Sequence, residues 1–259
     1  MEAVSELWRY RELFYFLAWR DVKVRYKQTA LGVAWAVLQP LMTMVIFTLL
    51  FGTLGHMPSD GIPYPLFYFG ALLPWTYFSA TLSNSGNSLV VNANLLTKVY
   101  FPRVILPTSA AVSGLVDFAV GFILLLAIMA YYRIVPGWTL LLWPFLIVLL
   151  FALALGVSMI LAALNVRYRD VKYTLPFLVQ LWLFVTPVIY PISMIPERYR
   201  LFVALNPLSG VIDAFRASLV PAKQVDWQLL LMSSIVTLAI FTAAVVYFKK
   251  TERAFADII

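Results

Sequence analysis

The chain has 259 residues, 63% of them hydrophobic and 12% charged, with a net charge of +7. A soluble domain is roughly 45–50% apolar and about 25% charged, so this composition reads as one integral membrane domain. Cysteine is absent and histidine occurs once, at His56, which excludes disulfides, Cys-ligated zinc, iron–sulfur centres and a His-built metal site.

Residues 1–31 read as a cytoplasmic amphipathic interface helix. Leu7, Tyr10, Phe14, Leu17 and Ala18 recur at helical spacing, with Arg20, Lys23 and Lys27 on another face. This helix is either a membrane anchor or a docking element. The segment lacks the short apolar core of a cleavable signal peptide.

Residues 32–259 form the membrane domain. Six apolar stretches follow, at about 32–54, 64–88, 104–132, 138–163, 174–195 and 228–248. Each offers the ~20 residues that cross a bilayer. The fold class is therefore all-α, with six transmembrane helices. The fifth stretch is broken by Pro187, Pro191 and Pro196 and returns through Asn206 and Pro207. That pattern predicts a re-entrant helical hairpin at about 188–220, since broken backbone at membrane depth must be buried in protein or line a wet cavity. Fourteen Lys/Arg fall on the side of the termini. Five fall opposite, at Arg133, Arg198, Arg200, Arg216 and Lys223. Both termini are predicted to be cytoplasmic, and topology accounts for the charge without nucleic-acid binding. No internal repeat is apparent.

Several positions invite a functional role. Asp117 is the acid of the third span, suited to structural pairing or to a proton relay. The polar run SATLSNSGNSLVVNAN at 79–94 places Ser79, Ser83, Asn87 and Asn94 on one face and Thr81, Ser85, Ser88 and Asn92 on another. It lines a wet cavity, packs against helices through small residues, or extends into the cytosol. Lys98, Tyr100 and Arg103 lie on a loop that reads as a partner's knob or an interfacial anchor. The aromatic rings near the span ends, among them Tyr68, Trp75 and Trp182, read as an interface belt or as the wall of a sugar conduit. The basic knot Arg167, Arg169 and Lys172 precedes the fifth stretch. Nothing matches a phosphate-binding G-x-x-x-x-G-K-[ST] loop, so ATP hydrolysis is not expected in this chain.

LAWRDVKVRYKQTALGVAWAVLQPL at 17–41, KVYFPRVILP at 98–107, VRYRDVKYTLPFLVQLWLFVTPVIYP at 166–191 and LNPL at 205–208 with Phe215-Arg216 resemble the membrane subunit of an ABC-2 type transporter. The similarity is to the polysaccharide-exporting branch (O-antigen, capsule, teichoic acid). It implies a permease of the bacterial cytoplasmic (inner) membrane that moves a polyprenyl-diphosphate-linked glycan outward, through a channel at the interface with a second copy of itself. It implies two copies of an ATP-binding subunit, which bind ATP and Mg while this chain carries no cofactor. The helix at about 7–28, with Arg20 and Lys23, and the loop with Lys98, Tyr100 and Arg103 would contact that subunit. Pro191, Pro196, Asn206 and Pro207 would shape the gate hairpin. Arg25 and Lys27, clustered beside the first span, are candidates to attract the lipid diphosphate; orientation by positive charge alone is the other explanation. The competing expectations are an ABC-2 exporter of a drug or lipid, and an ion-coupled carrier or channel acting without an ATPase.

Overall fold

Helix is the only regular structure among the described residues of the computed structural model, which are 9–27, 34–135, 137–168, 170–221, 223–252 and 255. Leu7, Arg169 and Arg253, named in the expectations above or counted in the charge balance, lie outside them. Helix α1 spans Arg11–Lys27 and α2 Ala34–Phe47, the latter running on as a π-helix over Thr48–Leu54. Then come α3 (Tyr64–Gly86), the short α4 (Ser88–Val91) and α5 (Ala93–Lys98), and α6 (Ile105–Tyr131). A 3-10 turn at Trp138–Leu142 leads into α7 (Trp143–Arg167), followed by α8 (Val171–Val185). A second 3-10 turn at Ile192–Met194 precedes α9 (Glu197–Leu205), α10 (Pro207–Leu219) and α11 (Trp227–Glu252).

Among the described residues, four helical segments are long and apolar enough to cross a bilayer: Val37–Leu54, Ile105–Tyr131, Trp138–Arg167 and Trp227–Glu252. The other two predicted stretches differ. Helix α3 has 23 residues but ends in a polar Ser/Asn run. Helix α8 has 15, because Pro187 forces the preceding Thr186 into an extended conformation. Helix α3 is the centre of the bundle, with nearly every residue from Leu66 to Trp75 fully buried. It packs on α2, α6, α7 and α10. A second cluster lies at the other end, where Leu17 of α1 meets Phe101, Met159 and Phe248.

The return after α8 is an exercise in satisfying backbone. A helix end leaves its last carbonyls without donors, and a dry core makes each of them expensive. Here Thr186 Oγ1 donates to the Trp182 carbonyl at 2.8 Å. The Tyr190 hydroxyl donates to the Phe184 and Val185 carbonyls. Arg216, fully buried on α10, serves the irregular segment that follows the helix. Its guanidinium donates to the carbonyls of Pro187 (2.7 Å), Tyr190 (3.2 Å) and Val188. Its Nε donates to the Phe67 carbonyl at 3.2 Å, and its plane lies 3.7 Å over the Phe67 ring. The positive-inside count treats Arg216 as a loop charge. The structure corrects this: the residue is 1% exposed inside the bundle.

Helix α10 begins with the same economy. Pro207 has no N–H to satisfy. Leu208 N–H donates to the Asn206 side chain, Ser209 N–H to the Asn206 carbonyl, and Gly210 N–H to Ser233 Oγ. Gly210 also lets α10 and α11 touch: a Cβ there would sit 2.7 Å from the Leu229 carbonyl oxygen. Pro191, Pro196 and Pro207 each stand at the start of a helical piece. Every residue of α10 is buried.

Arg216→Met strands four carbonyls, each costing about 1–3 kcal/mol. Arg216→Lys keeps the charge but loses the planar fork that reaches all of them. Both variants are expected to lose at least about 3 kcal/mol, seen as a lower unfolding temperature in detergent. A Lys variant as stable as wild type would mean that charge alone is required.

Candidate functional site

Helix α3 is buried except on one strip. From Trp75 onward its unburied positions are Thr76, Ser79, Ala80, Ser83 and Asn84, spaced as one helical face. A polar strip of this kind cannot face lipid tails. It faces a cleft of about 450 Å³ walled by α2, α3, α6 and α8. Trp35, Gln39 and Thr43 line it from α2, Asp117 from α6, and Pro176 and Val179 from α8.

The opposite face of the polar run packs. Thr81, Ser85 and Ser88 are buried, and Ser158 of α7 donates to the Thr81 carbonyl at 3.3 Å. Asn165 of α7 donates to the Gly86 carbonyl and to Asn87 Oδ1, the latter at 2.9 Å. Asn87 in turn donates to the Ser83 carbonyl at 2.7 Å. So two of the three outcomes read from the sequence divide between two faces: Ser83 belongs to the cleft and Asn87 to the packed helix end.

Asp117 is paired. Arg25 donates to one carboxylate oxygen and the Tyr26 hydroxyl to the other. Helix α1, which packs along α6, is thus tied to the cleft wall. Arg20 pairs with its neighbour Asp21 at 2.8 Å, Lys23 lies over the Trp19 ring, and Lys27 is exposed.

The loop after α5 divides similarly. Lys98 is exposed and Tyr100 is 90% exposed, while Phe101 is buried. Arg103 is used internally. Its N–H donates to the Glu252 carboxylate at 2.7 Å, and its guanidinium to the Glu252 carbonyl. That fastens the loop to the end of α11, a role for Glu252 that no local pattern announces.

The three candidate conduit rings separate by burial. Tyr68 and Trp75 are core residues, with Tyr68 packed edge-on against Phe47 and Phe67. Both rings pack within the protomer rather than on its surface. Trp182 is half-buried, and its indole N–H donates to Asn206 Oδ1 at 3.2 Å. Asn206 Nδ2 donates to Thr186 Oγ1 at 2.9 Å, so Asn206 joins the start of α10 to the end of α8. Among the described residues no group of His, Asp and Glu could hold a metal ion.

On the face of the loop at 55–63, Asp60 fastens three connections. It accepts from Ser193 at 2.7 Å and from Lys223 at 3.1 Å, and Lys223 also reaches Asp213 at 3.2 Å. Asp60 and Gly61 adopt positive φ, 52° and 78°, the left-handed region that Asp and Gly tolerate best. Burial pulls the Asp60 carboxyl up. The hydrogen bonds from Ser193 and Lys223 and the charges of Lys223 and Arg216 outweigh it, so its pKa lies below the ordinary value.

Two outcomes follow. With its folded pKa depressed, Asp60 contributes stability above an unfolded value of about 3.9 and loses it as pH falls through the folded one. Thermal unfolding in detergent, followed from neutral pH to about pH 3, should show an acid loss that Asp60→Asn reduces. For the second pair, Arg25→Asp or Asp117→Arg alone should lower the amount of folded chain, and the combined swap should restore much of it. Absence of rescue would deny that the pair matters.

The ABC-2 type transporter family matches residues 12–220. Over 257 residues and 98% of both chains, the sequence is 34% identical to an O-antigen export system permease protein, RfbA, of Myxococcus xanthus. It is 29% identical to an RfbA of Klebsiella pneumoniae over 76% of each chain. It is 27% identical to the polysialic acid transport protein KpsM of Escherichia coli, over 85% of this chain and 87% of that one. With a family match across most of its length and a relative similar from end to end, the chain belongs to the ABC-2 type transporter family.

Proposed function

We propose that the chain is the transmembrane subunit of an ATP-driven exporter of polyprenyl-diphosphate-linked polysaccharide, with O-antigen as the favoured cargo. The observation that carries this reading is the polar strip of α3, open to a cleft in a chain that is otherwise apolar. The names of its relatives supply the cargo class. In this reading α3 and α8 complete six spans, both termini are cytoplasmic, and the segment from Pro187 to Leu219 is a re-entrant gate. Two copies of the chain form the channel in the inner membrane. Each binds an ATP-binding subunit that holds ATP and Mg, so this chain is not itself the enzyme.

The exposed Lys98 and Tyr100, with the outer face of α1, are the docking surface in this reading. Phe16, Trp19, Arg20, Lys23 and Lys27 border a shallow hollow there. Arg103 sets the loop's position from behind. Arg25 and Lys27 are proposed to draw the lipid diphosphate to the cytoplasmic side by their charge. An ion-coupled carrier fits less well, since Asp117 is already held by two donors.

Purification of the tagged chain from its own membranes in mild detergent is expected to bring down a stoichiometric ATP-binding subunit with vanadate-sensitive ATPase activity. A chain recovered intact and alone would remove the motor and with it this reading. Neutralising Lys27 together with both Arg25 and its partner Asp117, so that no carboxylate is left without its cation, should impair export in cells while leaving the folded chain in the membrane. Unchanged export would sink the diphosphate role.

A further inference from the structure

The chemistry of the α2–α3–α6–α8 cleft selects among ligands. Asp117 is the charged residue of its lining, and both carboxylate oxygens are engaged by α1. A cation entering would compete with Arg25, and an anion would meet the carboxylate. The cleft therefore suits a neutral ligand.

Its hydrogen-bonding groups are mostly acceptors. Thr43, Thr76 and Ser79 donate their hydroxyl protons to carbonyls of their own helices at 3.0–3.1 Å, which leaves their oxygen lone pairs for the cleft. Pro40 and Pro176 also line it, and a proline within a helix leaves the carbonyl one turn back without its usual donor. Two donors stand open. The Gln39 amide and the Ser83 hydroxyl have no protein partner among the described residues. The Trp35 ring, 54% exposed, borders the same space. Acceptors, a few donors and a flat ring match an array of hydroxyls on an apolar ring face. The volume of 450 Å³ lies within the ~300–1,000 Å³ of ordinary ligand sites.

We propose that this cleft is a sugar-binding subsite, one per protomer, holding a neutral stretch of glycan through Gln39, Ser83 and Trp35. It rests on the exporter reading and adds to it a place where the sugar, rather than the diphosphate, is gripped. The charge balance of the cleft excludes the diphosphate from this spot and leaves that group to the basic end of α1.

The natural lack of cysteine makes the test clean. Ala80→Cys and, independently, Thr76→Cys, both in the cleft lining, are placed in the otherwise unaltered chain, assembled with its ATPase in membrane vesicles. Labelling by a charged, water-soluble methanethiosulfonate reagent is followed in two preparations. One contains the cell's own polyprenyl-diphosphate glycan. The other comes from cells in which the first sugar-phosphate transfer to the lipid is blocked. Leu238→Cys, on an exposed face of α11, serves as the lipid-facing control and should not label. Both cleft cysteines should label, several-fold more slowly when the glycan is present. Gln39→Leu should remove most of that protection, as expected where one lost hydrogen bond costs up to about tenfold in affinity.

Unreactive cysteines at both positions would overturn the proposal, because the cleft would be dry. Equal labelling with and without glycan, in a chain whose deletion stops export, would overturn the subsite alone. Deletion that leaves glycan export intact would overturn the exporter reading itself.

Discussion

The structure depends on one buried guanidinium. After α8 the chain turns into the bundle at Thr186–Ile189, and the carbonyls of that turn would face a medium that offers them nothing. Arg216 brings several donors in a rigid plane and meets the carbonyls of Pro187, Val188 and Tyr190 together, with that of Phe67 on the facing helix. A neutral donor could serve one or two of these. The cost of burying the cation is offset by making it the hub of several charge-assisted hydrogen bonds. Because Arg216 sits on α10, the end of α8 can be placed only where α10 is placed. Asn206 and Ser233 complete the same logic at the other end of α10.

This chain of dependence runs outward in both directions. Toward the loop at 55–63, Asp213 lies one turn before Arg216 and shares Lys223 with Asp60. Toward the cleft, α3 is held by Arg216 at Phe67 and by α7 at Thr81 and Gly86. What remains free on α3 is its polar strip. The cleft is thus defined by what the packing leaves over, and its far wall is tied to α1 through Asp117.

The all-helical class, the presence of a helix near the N-terminal end and the positions of the breaks were legible in the sequence, because apolar runs, helical periodicity and prolines are local signals. The polar run at 79–94 was legible as unusual but divided, since a helix face cannot be assigned before its neighbours are known. Burial was the harder quantity. Tyr68 and Trp75 sit near a span end like ordinary belt residues, yet the folding of α10 and α2 over α3 covers them. Arg216 looked like a loop charge because charge counting cannot see a basic residue that turns inward. The partners of Asp117, 91 and 92 residues away, and the Arg103–Glu252 link, 149 residues apart, lie beyond any spacing rule.

The separation of faces on α3 bears on how such a protein can diverge. Its apolar face and its small buried hydroxyls are fixed by neighbours on several sides, so exchanges there disturb the bundle. Thr76, Ser79, Ala80 and Ser83 touch open space on the other side. Side chains along that strip can grow, shrink or change their hydrogen-bonding character with little penalty to folding. A lineage could therefore alter what the cleft accepts by a few exchanges along one stripe of one helix, with the scaffold around Arg216 unchanged.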